Sequence, residues 1–134
     1  MTNQGCILFV DDEEPIRSCF GRVLVQAGYQ VVEAGHGMDA LERMEKALPD
    51  LAVIDLIMPV MEGIETIVEM RRRHPGIRIL AISGGGRVEP GEYLCMAERL
   101  GAVSVLAKPF SAQEMLRTVK ATLAAQPPPC SVNA

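Results

Sequence analysis

The chain has 134 residues, 49% of them hydrophobic, and carries 13 basic and 17 acidic side chains for a net charge of −4. That length fits one domain, the apolar share excludes a disordered chain, and the acidic balance argues against non-specific nucleic-acid binding. The four cysteines lack a C-x-x-C spacing and so offer no zinc framework. With no basic-apolar leader and no apolar stretch of membrane-spanning length, a reduced, cytoplasmic protein is expected. Cys6 and Cys19 read as small core side chains and Cys130 as exposed.

Short apolar runs alternate with segments of helical periodicity. The first run, Ile7-Leu8-Phe9-Val10, stops at Asp11-Asp12. Glu13-Glu14-Pro15 then supplies the acids and proline that suit a first helical turn. Ile16, Phe20, Val23, Leu24 and Ala27 recur at helical spacing up to a stop at Gly28. A second strand is expected over about 30–34, followed by a helix on Ala40, Leu41, Met44 and Leu48 that Pro49 halts. The third run, Leu51-Ala52-Val53-Ile54, stops at Asp55. Ile64, Ile67, Val68 and Arg71 mark a third helix ending before Pro75, with Arg71-Arg72-Arg73 read as its solvated, dipole-compatible end. Gly63 reads as easing entry to that helix, and His36 and His74 as surface residues. Met44, Met58, Met61 and Met70 read as packing.

The fourth strand, about 77–83, ends at Ser83, and a fourth helix carries Tyr93, Leu94, Ala97 and Leu100. The fifth strand, about 103–107, ends at Lys108-Pro109. Ser111-Ala112-Gln113-Glu114 is a capping box opening a fifth helix with Leu116, Val119 and Leu123. Five strands alternating with five helices define an α/β, doubly wound (βα)₅ fold of flavodoxin-like type. Its expected form is a parallel five-stranded sheet of order 2-1-3-4-5 with helices on both faces. Residues 126–134 are proline-rich and aperiodic and read as a flexible tail behind a domain at 1–125.

Parallel strands all point the same way, so Asp11, Asp12, Asp55, Ser83 and Lys108 emerge along one edge, where open α/β sheets bind ligands. With order 2-1-3-4-5 the three aspartates meet between the first and third strands. Two carboxylates about 4 Å apart repel by roughly 4 kcal/mol at an effective dielectric near 20. A hard divalent cation relieves such a cluster, and oxygen ligands suit Mg²⁺. A carboxylate, a metal and a lysine together can perform phosphoryl transfer with the carboxylate as nucleophile.

These residues also resemble a known family. Asp11-Asp12, Asp55-Leu56-Ile57-Met58-Pro59 with Gly63, Ser83, and Lys108-Pro109-Phe110 are similar, in order and spacing over about residues 5–123, to the receiver domain of bacterial two-component response regulators. The resemblance implies a phosphorylation-activated switch with Asp55 as phospho-acceptor. Asp12, Asp55 and the Ile57 carbonyl would ligate Mg²⁺ directly, and Asp11 through water or from behind. Ser83 and Lys108 would contact the phosphoryl group, and a cis peptide would precede Pro109. The implied donor is a histidine kinase or a histidine phosphotransfer protein. The implied output surface is the face of the fourth helix, fifth strand and fifth helix, where an unnamed output protein would bind. No nucleic-acid or membrane contact is expected of this domain. The chain would not be an enzyme beyond its own phosphorylation and dephosphorylation.

Two features depart from the family pattern. Val105 stands where an aromatic usually precedes the lysine by three, and Ser83-Gly84-Gly85-Gly86 opens a longer connection. Alternative readings are a degenerate receiver used only for docking and a Mg²⁺-dependent phosphatase. The phosphatase would call for D-x-D, which Asp55-Leu56-Ile57 lacks.

Overall fold

In a computed structural model, the described residues are 4–56, 63–83, 99 and 104–125. The strands are β1 (Cys6–Val10), β2 (Gln30–Ala34), β3 (Leu51–Asp55), β4 (Arg78–Ser83) and β5 (Ser104–Ala107). They form one sheet in the order β2-β1-β3-β4-β5, parallel throughout. The helices are α1 (Glu14–Gln26), α2 (Gly37–Lys46), α3 (Gly63–Arg73) and α4 (Ala112–Ala124). Of the helix expected near 93–100 only Arg99, itself helical, is among the described residues, and the 84–91 connection and the 126–134 tail lie outside them. Thus α4 is the fifth helix of the sequence reading.

The near-continuous apolar strands are explained by a covered sheet. Alternate residues of one strand enter two separate cores. Leu8, Val10, Ala52, Ile54, Ile79 and Ala81 pack on Ala40, Leu41 and Met44 of α2 and on Ile67 and Met70 of α3. Ile7, Phe9, Leu51, Val53, Leu80 and Ile82 pack on Leu24 of α1 and on Met115 and Val119 of α4. Fully burying one such aliphatic side chain contributes about 1.5–3 kcal/mol. The central strands therefore anchor whatever their ends carry.

Local signals end the elements. Gly28 adopts φ +104°, a left-handed conformation that closes α1 cheaply only for glycine. Ser111 accepts from the Glu114 amide at 3.0 Å and the Ser111 amide donates to Glu114 at 2.9 Å, so the capping box is present. α2 ends at Lys46, which leaves Leu48 outside the helix and 57% exposed. Pro49 disfavours helical backbone at the residue before it, so the helix stops short of Leu48.

Four other expectations are corrected. Val68 is exposed, and Thr66 and Met70 are buried with Ile67 in its place. Arg71 is buried and donates to the Pro75 carbonyl at 2.7 Å; the solvated helix end consists of Arg72 and Arg73. Cys19 is exposed and Cys6 only half-buried. His36 caps α2, its Nδ1 accepting from the Asp39 amide at 3.2 Å, and His74 is half-buried with Nε2 3.5 Å from Glu45.

Candidate metal and phosphoryl site at the strand ends

β1 and β3 are neighbours in register from Ile7 opposite Leu51 to Val10 opposite Ile54. One step further brings Asp11 level with Asp55. Backbone bonds hold both ends: the Asp11 amide donates to Ala34 at 3.1 Å, and the Leu56 amide to Ile82 at 2.9 Å. Asp11, Asp12 and Asp55 each offer a carboxylate oxygen, and these oxygens all lie within 4.8 Å of one another. Asp11 and Asp55 are buried, and Asp12 is exposed.

Lys108 follows β5, which lies two strands from β3 and Asp55 in the sheet. Its Nζ lies 3.3 Å from Asp55 Oδ2 and 3.9 Å from Asp11 Oδ2. The Lys108–Pro109 peptide is cis. Behind this segment, the Phe110 ring sits 5.0 Å from that of Phe20 on α1, which lies 6.4 Å from Phe9 of β1. An aromatic chain thus ties the lysine-bearing segment to the strand that carries the aspartates. The spacing of the sequence gave Phe20 a core role but no such partner.

Burial pushes the Asp11 carboxyl up to about 6. The Glu13 amide, donating at 2.9 Å, pulls the other way, the Asp55 charge raises it, Lys108 lowers it and Asp12 raises it. One ammonium therefore leaves the three acids under-compensated. Clustered hard oxygen donors of excess negative charge, one of them open to water, fit a hydrated Mg²⁺.

Gly63 has a sharper role than the sequence reading assigned. Its amide donates to Leu56 at 2.9 Å, and a Cβ there would collide with the Asp55 carbonyl oxygen and the Leu56 backbone. The start of α3 is thus pressed against the backbone of β3. Of the other expected site residues, Ile57 and the Ser83 side chain lie outside what is described, while Ser83's backbone pairs with Ala107. Val105 is half-buried against the α2–α3 core. Sequence reasoning missed Arg17 and Glu33. Arg17 Nη1 donates to the Asp11 carbonyl at 2.7 Å and its Nε to Glu33 Oε1 at 2.9 Å. The available signal was a lone carboxylate inside the apolar run Val31-Val32-Glu33-Ala34.

A parallel 2-1-3-4-5 sheet with acids and a lysine converging at the switch in strand order defines a doubly wound α/β domain with its site outside the carboxyl strand ends. The chain belongs to the response regulator receiver domain family, whose model matches residues 7–120. It is 34% identical over 114 residues to sporulation initiation phosphotransferase F of Bacillus subtilis (strain 168), covering 85% of this chain and 90% of that one. It is 34% identical over 118 residues to chemotaxis protein CheY of the same organism, covering 87% and 96%. The receiver domain of NtrX from Brucella abortus superposes with a TM-score of 0.83 at 28% identity, covering 90% of this chain and 99% of that one. By contrast, the chain spans 13% of the sensor kinase CckA of Brucella abortus (strain 2308). Membership supports a role in phosphorylation-activated signalling. Among the described residues no helix is long and apolar enough to cross a membrane.

Proposed function

We propose that the protein is a Mg²⁺-dependent receiver switch in which Asp55 accepts the phosphoryl group. The carrying observation is the convergence of Asp11, Asp12 and Asp55 with Lys108 at 3.3 Å from Asp55. Asp12 and Asp55 would hold Mg²⁺ directly with the Ile57 carbonyl, and Asp11 through water. Bound there, the metal supplies positive charge against the oxygens of the transferring group. An Asp55 oxygen attacks phosphorus, the phosphorus–nitrogen bond of a phosphohistidine breaks, and the imidazole leaves with the electron pair, giving an aspartyl phosphate. Lys108, already on the carboxylate, keeps its charge beside the phosphoryl oxygens, and Ser83 donates its hydroxyl to one of them.

The donor is a histidine kinase or histidine phosphotransfer protein, and the chain catalyses only its own phosphorylation and dephosphorylation, in the cytoplasm. The readout is altered partner binding at the face of the helix expected near 93–100, β5 and α4.

The test is incubation with Mg²⁺ and acetyl phosphate followed by intact mass measurement. One added phosphoryl group, absent in Asp55→Asn, is expected. A chain that never gains it with acetyl phosphate or a phosphohistidine donor is a docking module, and the proposal fails.

A further inference from the structure

One ion pair reaches the acid cluster from behind, through the backbone. Arg17 lies on α1 one turn beyond Glu13, whose carbonyl accepts its amide at 3.0 Å. Its side chain, only 14% exposed, turns back toward the strand ends and contacts the Asp11 carbonyl and Glu33 together. Asp11 is thereby fixed on every side. Its amide is held by the end of β2, its Oδ1 by the Glu13 amide, and its carbonyl by Arg17. Asp12 hangs from that same carbonyl group, so a rotation of the 11–12 peptide would carry its carboxylate away from Asp55. Room for the counter-ion is built into α1. Gly21 is buried, and a Cβ there would stand 3.3 Å from Glu33 Oε2.

We propose that Arg17 is a positioning residue for the Asp11–Asp12 pair, and that Glu33 keeps its guanidinium on the carbonyl rather than among the carboxylates. The planar fork of arginine serves both acceptors at once, a carbonyl through Nη1 and a carboxylate through Nε. A free cation this close to three acids would instead fall onto Asp12 and compete with a metal. The pair acts as an outer support of the metal ligands, a class of contact whose removal typically costs 10–100-fold in metal affinity. The inference rests on the Mg²⁺ and phosphoryl reading above and deepens it.

The experiment is titration of ¹⁵N-labelled protein with MgCl₂, following amide shifts, with thermal melts of each metal-free variant alongside. Arg17→Ala is expected to raise the Mg²⁺ Kd about tenfold. Arg17→Lys should recover less than half of the loss, because one ammonium cannot serve both acceptors in that plane. Glu33→Gln, which keeps a hydrogen-bond acceptor, should weaken binding by about threefold. The double variant Arg17→Ala, Glu33→Ala should be no worse than Arg17→Ala alone.

A Kd within twofold of wild type in Arg17→Ala overturns the positioning role, whatever happens to the melting temperature. If Arg17→Ala does not fold, an unchanged Kd in Glu33→Gln overturns it equally. Wild-type protein that binds no Mg²⁺ and takes no phosphoryl group overturns the parent reading as well. Wild-type binding with insensitive variants sinks only this inference.

Discussion

Two carboxylates of this protein show how location decides what a charge does. Glu69 lies on the outer face of α3, with Arg72 Nη2 at 2.6 Å and Arg73 Nε at 3.1 Å, and these hydrogen bonds hold its carboxyl down at about 2. Asp11 lies at the end of β1, where burial leads the causes that hold its carboxyl up at about 6. Glu69 has cations within its own helix and water around it. Asp11 has other acids and little water. Helical spacing supplies the first arrangement almost for free. The second opposes folding and persists only because the strands beneath it are fully buried. A conflict of that kind marks a site with work other than stability.

The largest break in this contrast is Lys108→Ala, which removes the ammonium next to Asp55 and Asp11. Phosphorylation by acetyl phosphate at saturating Mg²⁺ is expected to slow about a hundredfold, the scale for losing one preorganised charge partner. A rate within threefold of wild type would reduce the lysine to a structural contact. Next in size is Gly63→Val, read by denaturant unfolding. The space a Cβ needs is occupied by the backbone of Asp55 and Leu56, so α3 must shift. The expected loss is about 1–3 kcal/mol, the usual cost of overpacking. Phosphorylation should fall with it, because the displaced backbone is that of the proposed acceptor.

Much of this was readable from sequence because a parallel sheet converts strand ends into one edge. Once Asp11, Asp55 and Lys108 are placed at ends of apolar runs, topology alone brings them together. The capping box at Ser111 and the stop at Gly28 were equally local. What stayed hidden depends on neighbours far apart in the chain. Arg17 and Glu33 are 16 residues apart, and their meeting requires β2 beside β1. Periodicity also fixes spacing without phase, so Val68 was given to the core, while the run of three arginines gave Arg71 to solvent, the reverse of what packing selects. Gly63 looked like easy backbone, yet the contact that demands glycine is with β3. The reading of Ile57 rests on the family pattern, and that of Ser83 on the pattern and its place at the end of β4, while that of Asp11, Asp12, Asp55 and Lys108 also has the geometry of the converging side chains.

A smaller effect sharpens the comparison through pH. The Asp11 carboxyl is raised from 3.8 to about 6 on folding. The folded state therefore binds this proton more tightly, and stability falls as pH rises between those two values. The metal-free protein should lose on the order of 1 kcal/mol across that window, screening by water at the open side of the site included. Urea melts at several pH values measure it. Asp11→Asn should flatten the slope and raise stability at pH 7, and Mg²⁺ should offset the loss in wild type because its charge favours the ionised acid. A slope that persists in Asp11→Asn would assign the proton elsewhere.

The smallest effect is expected at Glu69, and its sign is opposite. A carboxyl held at about 2 in the folded state contributes stability above its ordinary value of 4.5 and loses it as pH falls through about 2. Because Glu69 and both arginines lie at the surface, water and salt screen the attraction. Glu69→Gln should leave the melting temperature at pH 7 within the scatter of replicate scans, and phosphorylation unchanged. Raising the salt concentration should remove what difference remains. A Glu69→Gln protein that melts well below wild type would mean that the α3 network carries stability its exposure does not account for. The contrast between a shifted carboxylate that does little and one that marks the site would then fail on the side that looks safest.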